Sequence, residues 1–472
     1  MRAAFGLLFV LACGSSPHLP AAQPSKPAAK LDPDGPHREV VTAQVRPYID
    51  AEIASGLVIG LYDAGNVEIY GFGKGPGSAP PNGNTLFEIG SVTKVYTGLL
   101  LADAVQRREV ELDQPVAELL PPGITMPMRD KIAITLRQLA LHNSGLPRLP
   151  PGIAKIADAA DPYARYSEDL LYADLVQTKL EATPGTAVLY SNYGFGLLGF
   201  ALGRKIGGSY QAVLAQRVLT PLGLADTYFA VPATQQARVA QGTNGDLAPV
   251  PPWKFDALAG AGALISTVRD QLRLVDAELD SNAGGKGTLR AQMHLTQEPQ
   301  LEHTAANEGL GWQIDNVGRY WHNGGTGGFH SFVGFDPKTK RGVVILASTA
   351  TSLIDHLADN LYKVLAKEQV ASPRFATAAE ISPFAGSYDL QGSKLKILTA
   401  GKRLYVDGPG VPRFRLLPIS DHEFWIEELQ TVAVFEREAD KVARIVFVLG
   451  EHRMSAPRVE EPRDHPESLP NP

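Results

Sequence analysis

Ser91 and Lys94 stand three residues apart in the segment FEIGSVTK (87–94), directly before a long apolar run. Residues at this spacing lie on one face of a helix, so the serine hydroxyl and the lysine amine are expected to be neighbours. A buried lysine has a lowered pKa, and its neutral form can accept the proton of a serine hydroxyl. The pattern predicts a serine nucleophile with its base one turn away. The alternative is an N-cap serine followed by a solvated lysine.

Two further motifs carry side chains suited to the same chemistry. Tyr190 and Asn192 flank a serine directly before an apolar helix that contains glycines. Taken by themselves, the tyrosine could be an ordinary core aromatic and the asparagine a turn residue before a helix. His322 is followed by Gly324 and Gly325 at the start of a predicted strand. Glycines at such a position let a substrate approach the backbone.

The apolar pattern around these motifs predicts an α+β domain over residues 37–370. A hairpin is indicated at 57–73, where two strand-like runs flank Ala-Gly-Asn. Two more strands, at 329–337 and 342–349, precede a closing helix at 353–368. Strands at both ends with helices between them predict an antiparallel sheet flanked by helices, with an inserted helical region.

A change of sequence character after residue 370 indicates a second domain. Seven short strand-like segments follow between 380 and 460, separated by turn residues. Their even spacing predicts a small all-β domain, either a barrel or a sandwich. The last residues, 461–472, are predicted to form a disordered tail.

The N-terminus has the features of an export signal. Residues 1–13 contain a positive charge, a short apolar stretch and Cys13, the only cysteine of the chain. Because this arrangement looks like a bacterial lipoprotein signal, we expect lipidation at Cys13; the alternative is an ordinary signal that is cleaved later and discards it. Residues 14–36, rich in proline and alanine, are expected to form a flexible tether. Both alternatives predict an exported, periplasmic protein, and membrane contact is expected only through a lipid at Cys13.

Composition argues against several classes of function. The chain has 472 residues and a net charge of -6, and no basic block indicates a nucleic-acid partner. Its length favours two or three domains. A single cysteine leaves no disulfide and no cysteine-based metal site, and no nucleotide-binding or metalloprotease motif is present. We therefore expect neither a cofactor nor a metal ion.

The motifs SVTK, YSN and HNG, in this order, resemble the serine β-lactamase and penicillin-binding-protein superfamily, specifically its class C-like branch. That branch uses Ser-x-x-Lys, Tyr-x-Asn and a strand with Lys/His-x-Gly. The linking segments ITLRQLALHNSGLP, PLGLADTYF and GAGALISTVRD are also similar, so the resemblance spans about residues 38–370. It implies a site between an antiparallel sheet and a helical domain.

The resemblance implies roles for the catalytic side chains. Ser91 would be the acylated nucleophile, and Lys94 would ease its deprotonation. Tyr190 would shuttle a proton between Ser91, the leaving group and water. His142, in the segment LHNSGLP, is a tempting base, but relatives often carry a histidine there without a catalytic role, so we interpret it as structural.

The resemblance also implies a substrate-binding set. Asn192 would bind the substrate amide, and His322 and Gly324 would belong to the strand that faces the substrate. The N–H groups of Ser91 and Gly325 would form the oxyanion hole, the former at the positive end of a helix.

His322 is the point at which the sequence departs from the usual pattern. Most β-lactamases and DD-peptidases have lysine there, a permanent cation for the substrate carboxylate, whereas histidine is only partly charged near neutral pH.

Three functions are compatible with these motifs. The leading function is cleavage of a β-lactam or D-Ala-type peptide through a Ser91 acyl-enzyme, with a small-molecule or peptidoglycan-peptide substrate. A carboxylesterase on the same scaffold is the second. A non-catalytic β-lactam or envelope-binding protein is the third, and the complete motif set counts against it.

Overall fold

The computed structural model of the chain describes residues 35–77, 79–158, 160–282, 289–301 and 307–459. The predicted signal with Cys13, the tether up to residue 34 and the tail at 461–472 lie outside the described residues. Among the helices within these ranges, none is long and apolar enough to cross a membrane.

The N-terminal domain is built around an antiparallel sheet. Its described strands are β1 (Gly56–Asp63), β2 (Asn66–Gly73), β3 (Phe87–Glu88), β4 (Ile265–Ser266), β5 (Asn307–Glu308), β6 (Gln313–Ile314), β7 (Tyr320–Gly325), β8 (His330–Asp336) and β9 (Arg341–Ala347). Seven of them form one sheet in the order β2-β1-β9-β8-β7-β6-β5, while β3 and β4 pair separately. Leu57 on β1 lies opposite Ala347 on β9, so distant segments complete the sheet as predicted.

Helices pack against both faces of this sheet. The described helices of the chain are α1 (Arg38–Asp50), α2 (Thr93–Gln106), α3 (Leu136–Ala140), α4 (Ile153–Ile156), α5 (Glu168–Gln177), α6 (Asn192–Ile206), α7 (Tyr210–Leu214), α8 (Val268–Asn282), α9 (Arg290–Gln297), α10 (His356–Leu365) and α11 (Ala378–Ile381), and of these α1, α8 and α10 lie against the sheet. One face packs on α1 and α10 in an apolar cluster that includes Val45, Ile59 and Leu357. Alternate residues of a strand face opposite sides. Accordingly Gly60 and Gly342 face α8, and their lack of side chains lets that helix come close.

The helix that follows Ser91 is buried on all sides. Every residue of α2 from Thr93 to Ala104 is buried, and such an all-round apolar helix belongs in the centre of a domain. Gly98 allows the backbone of Leu310 to lie against it, because a Cβ there would stand 2.0 Å from the Leu310 carbonyl oxygen. The side chain of Lys94 therefore starts in the interior of the protein.

The C-terminal domain is a closed eight-stranded antiparallel barrel, which confirms the predicted fold class and selects the barrel over the sandwich. Its strands are β10 (Gly386–Leu390), β11 (Ser393–Ala400), β12 (Arg403–Gly408), β13 (Val411–Pro418), β14 (Glu423–Ile426), β15 (Thr431–Glu438), β16 (Lys441–Leu449) and β17 (His452–Val459). Sequence reasoning found seven of these and missed β17. That strand buries only Ala456, so it lacks an apolar alternation.

The barrel packs directly on the N-terminal domain. Leu417 on β13 belongs to the apolar cluster that α1 and α10 form on the sheet. Arg415, two residues earlier, is only 4% exposed. Its guanidinium donates hydrogen bonds to the carbonyl oxygens of Glu52 at 2.9 Å and Gly245 at 2.5 Å. The two domains therefore share both apolar and polar buried contacts.

Replacing Arg415 with methionine is expected to lower the free energy of unfolding by about 2–4 kcal/mol, because two partly buried carbonyls lose a charged donor. Arg413→Met on the same strand is the matched control. Arg413 is exposed and pairs with Asp407 at the surface, so its loss should cost about 1 kcal/mol or less. Urea unfolding followed by tryptophan fluorescence measures both. Equal midpoints for the two variants would show that the Arg415 contacts do not stabilise the domain interface.

Candidate active site

Ser91 lies in a short 3₁₀ turn, Gly90–Val92, that leads into α2. Gly90 has a φ of 46°, and a Cβ there would stand 2.9 Å from the backbone nitrogen of Gly325 and 2.8 Å from its oxygen. Glycine at this position lets the turn lie against the end of β7. The Ser91 side chain is partly exposed, so a substrate can reach it from solvent.

Lys94 is fully buried, and its amine lies within hydrogen-bonding distance of three oxygens. These are the Ser91 hydroxyl at 2.9 Å, the side-chain oxygen of Asn192 at 2.8 Å and the carbonyl of Ala261 at 2.8 Å. Burial, together with the nearby charge of Arg148, holds the pKa of Lys94 well below its usual range. The lowered pKa makes the neutral amine, which can accept the proton of Ser91, easier to form than in a solvated lysine.

Tyr190 immediately precedes α6 and lies beside the same pair. The lysine nitrogen is 4.8 Å from the centre of its ring, and the imidazole of His142 packs on the ring at 4.2 Å. Burial raises the pKa of Tyr190 to about 12, against the opposing effects of a hydrogen bond to Ser91 and the Arg148 charge. The phenol is therefore protonated at neutral pH, and it can relay a proton without being the first base.

Replacing Tyr190 with phenylalanine is expected to lower kcat about 10²-fold, the scale of one proton-transferring group. Both acyl transfer to Ser91 and later hydrolysis should slow, and steady-state and burst kinetics separate the two steps. Tyr172→Phe is the control, because Tyr172 donates to Glu168 away from these side chains. Wild-type rates in Tyr190→Phe on every substrate would make Tyr190 a packing residue.

Asn192, the first residue of α6, is held at both ends of its amide. Its oxygen accepts from Lys94, and its nitrogen donates to the hydroxyl of Tyr163 at 3.0 Å. Ser191 caps the helix by accepting from the N–H of Gly194 at 2.9 Å, which fixes where α6 begins. The Asn192 side chain is partly exposed next to Ser91, where it can meet a substrate amide.

The strand β7 brings its glycines against Ser91. A Cβ on Gly324 would stand 2.7 Å from the backbone nitrogen of Ser91, so any side chain would displace the serine. The neighbouring strand β6 pairs with β7 only at Tyr320 and Trp321. Gly325 is exposed, and its backbone lies next to Gly90. This arrangement can place the N–H groups of Ser91 and Gly325 around one substrate oxygen.

His322 lies on β7 near the other predicted residues, but it is buried, with 2% of its surface exposed. Its Nδ1 is 2.6 Å from the carbonyl oxygen of Asn323, and its ring centre is 6.5 Å from that of Tyr190. Burial, with the nearby Lys94 charge, lowers the pKa of His322 to about 3. The imidazole is therefore neutral at pH 7 and does not supply the permanent positive charge that a lysine would have there. Its role in binding substrate stays a prediction.

His142 has a structural role in the site. Its φ of 56° marks a turn after α3, and its Nδ1 accepts the N–H of Ser191 at 3.0 Å. Burial, with nearby positive charges, keeps its pKa well below the usual value. The ring supports both Tyr190 and the start of α6.

Sequence reasoning missed a support behind β7. Asp355, just before α10, accepts from the amide of Asn323 at 2.6 Å and lies 3.0 Å from Nε2 of His330. Glu427 of the barrel accepts from the N–H and hydroxyl of Ser352 at 3.1 and 3.0 Å. The barrel thus contacts the segment that supports the strand beside Ser91. Only the tertiary structure brings these residues together.

Three further contributors were also missed: the Ala261 carbonyl, the Tyr163 hydroxyl and the Arg148 guanidinium. Ala261 lies in the segment GAGALISTVRD, whose similarity to the family was the one available signal. Arg148 follows LHNSGLP directly, but an arginine in a loop carries no signal by itself. Within the described ranges no group of three His, Cys, Asp or Glu side chains could hold a metal ion.

The fold is that of the class C β-lactamases. A class C β-lactamase structure superimposes with a TM-score of 0.61 at 24% identity, covering 71% of this chain and 96% of that one. A mutant of a class C β-lactamase gives the same TM-score and identity, covering 70% of this chain and 97% of its own. The family model named Beta-lactamase matches residues 41–368, so the chain belongs to this family.

Similar proteins of known name include enzymes with different activities. A β-lactamase of Escherichia coli K12 is 27% identical over 66% of this chain and 88% of its own length. The D-alanyl-D-alanine-carboxypeptidase/endopeptidase AmpH of the same strain is also 27% identical, over 62% of this chain and 80% of its own. Penicillin-binding protein 4 of Amycolatopsis lactamdurans is 28% identical over 66% of this chain and 86% of its own. The relatives support a hydrolase and confirm the resemblance drawn from the motifs.

Proposed function

We propose that the chain is a serine hydrolase that cleaves an amide, in a β-lactam or a D-Ala-type peptide, through an acyl-enzyme on Ser91. One observation carries this proposal: the fully buried amine of Lys94 lies 2.9 Å from the hydroxyl of Ser91. A lysine in this position has a lowered pKa and can take the serine proton.

The chemistry has two steps in this proposal. The Ser91 oxygen attacks the substrate carbonyl while its proton passes to Lys94, and the N–H groups of Ser91 and Gly325 stabilise the oxyanion. The carbon–nitrogen bond then breaks, and the leaving nitrogen takes a proton through Tyr190. In the second step water attacks the ester, gives a proton to the same groups, and frees the acid as Ser91 regains its proton.

A carboxylesterase on the same site is the second candidate, and the neutral state of His322 favours it. A buried imidazole with a pKa of about 3 offers no charge to a substrate carboxylate at neutral pH. Esters without a carboxylate do not need that charge, so the absence of a lysine from β7 does not weaken their binding.

A substrate panel with mass detection tests both candidates. Nitrocefin, a D-Ala-D-Ala peptide and p-nitrophenyl butyrate should be compared at equal enzyme concentration, with intact-mass measurement of any adduct. We expect turnover of at least one amide and an adduct that Ser91→Ala abolishes. Turnover of the ester alone would favour the esterase, and no turnover or adduct with any substrate would refute a hydrolase at Ser91.

We also propose that the protein is exported and lipid-anchored through Cys13, as its N-terminal sequence indicates. Cys13→Ser should move the protein from the membrane fraction to the soluble periplasmic fraction. Wild-type protein that is wholly soluble, with a mature N-terminus beyond residue 20, would overturn the anchor.

A further inference from the structure

Arg148 lies at the mouth of the site, at a position fixed by the backbone. Its carbonyl oxygen accepts the N–H groups of Asn192 at 3.0 Å and Tyr193 at 3.3 Å. Because these are the first residues of α6, the loop that carries Arg148 is joined to the helix that supplies Asn192. The residue itself is exposed.

The Arg148 guanidinium lies over Tyr190, with its central carbon 5.2 Å from the centre of the ring. An arginine above an aromatic face is held by a cation–π contact, which leaves its N–H groups free to point outward. Its charge reaches the reacting groups, because it contributes to the lowered pKa values of Lys94 and His142. The guanidinium therefore lies within electrostatic range of a substrate bound to Ser91.

No carboxylate of the described residues forms an ion pair with Arg148. Comparable arginines of the same domain do have partners: Arg137 pairs with Asp113, and Arg204 pairs with Glu168. His322, on β7, is buried and neutral at pH 7. An anionic substrate group would thus pair with the Arg148 guanidinium beside Tyr190 rather than with a side chain of β7.

We propose that Arg148 is a specificity-determining residue that binds a carboxylate of the substrate beside Tyr190. The planar guanidinium can donate two parallel hydrogen bonds to a carboxylate, a geometry that lysine cannot reproduce. The inference rests on the proposed function, since it needs a substrate at Ser91. It places the anion subsite of this chain on the loop before α6.

A matched pair of substrates tests the proposal. p-Nitrophenyl valerate and mono-p-nitrophenyl glutarate have acyl chains of equal length, and only the glutarate ester ends in a carboxylate. Both esters depend on the same Ser91–Lys94 pair, so the ratio of their kcat/KM values cancels any change in lysine protonation. In Arg148→Gln this ratio, glutarate over valerate, should fall about 10- to 100-fold.

Two further variants complete the experiment. Arg148→Lys keeps the charge but not the two parallel donors, so its ratio should lie between those of wild type and Arg148→Gln. Arg204→Gln removes an exposed arginine from the last turn of α6 and should leave the ratio unchanged. Higher salt should lower the wild-type ratio and leave that of Arg148→Gln nearly constant.

The outcomes separate this proposal from the function on which it rests. Turnover of both esters with the same ratio in wild type and Arg148→Gln would overturn the role of Arg148 alone. Failure of wild-type protein to turn over these esters, nitrocefin and a D-Ala-D-Ala peptide, with no adduct at Ser91 from any of them, would overturn the proposed function and the Arg148 proposal with it. Turnover of the amides alone would uphold the proposed function, and the same ratio is then measured with amide substrates with and without a carboxylate.

Discussion

Replacing Ser91 with alanine is expected to lower kcat/KM by at least about 10³-fold, because in the proposed mechanism the acyl-enzyme forms on the Ser91 hydroxyl. Covalent labelling by a β-lactam or a fluorophosphonate should disappear, which intact-mass spectrometry measures directly. The thermal midpoint should change little, since the hydroxyl is partly exposed and its partner Lys94 keeps two other acceptors.

Ser209→Ala is the matched control for this change. Ser209 is exposed and caps α7 by accepting from the N–H of Ala212, so its loss should lower stability by about 1 kcal/mol without affecting labelling. If Ser91→Ala still forms the adduct at the wild-type rate, another residue is the nucleophile.

Lys94→Met should suppress acylation nearly as severely, by about 10³-fold or more, because serine and lysine act as one unit. Methionine has a similar length but cannot accept the Ser91 proton. Single-turnover kinetics with a chromogenic substrate measure the acylation step. The control is Lys205→Met, an exposed lysine in the last turn of α6, which should retain the wild-type rate. Equal acylation rates in both variants would remove Lys94 from the mechanism.

The protonation of Lys94 also sets the sign of the pH dependence. Its pKa lies well below the usual value of 10.5, mainly because of burial, and only the neutral amine can accept the serine proton. In wild type, kcat/KM for an uncharged ester should therefore fall as the pH drops through this lowered pKa. A profile that rises toward low pH would contradict a lysine base.

The parts of the site that could be predicted from the sequence are those carried by short local motifs. Ser91 and Lys94 meet because one helical turn separates them, and Tyr190 and Asn192 flank the start of a single helix. Periodicity likewise indicated the central sheet and most strands of the barrel. Local spacing sets all of these relations, so one sequence is enough to find them.

The missed parts depend on packing between distant segments. Arg148 and Asp355 act through contacts across the fold, and nothing in their local sequence distinguishes them. The neutral state of His322 follows from its burial beneath the site, whereas sequence gives only its type. Strand β17 was missed because the barrel holds it by backbone pairing with β10 and β16 rather than by an apolar pattern.

Burial of Lys94 affects the stability of the fold as well as its chemistry. In the unfolded chain the amine is solvated and binds a proton more tightly than in the folded protein. Folding is therefore penalised progressively as the pH falls from about 10.5 toward the lowered pKa, and the penalty is constant below it. Burying Lys94 therefore lowers the free energy of unfolding at neutral pH, so selection for stability alone would not favour a lysine at this position. The apolar shell around α2 offsets this cost, and the proposed reaction at Ser91 would explain why a buried lysine is retained there.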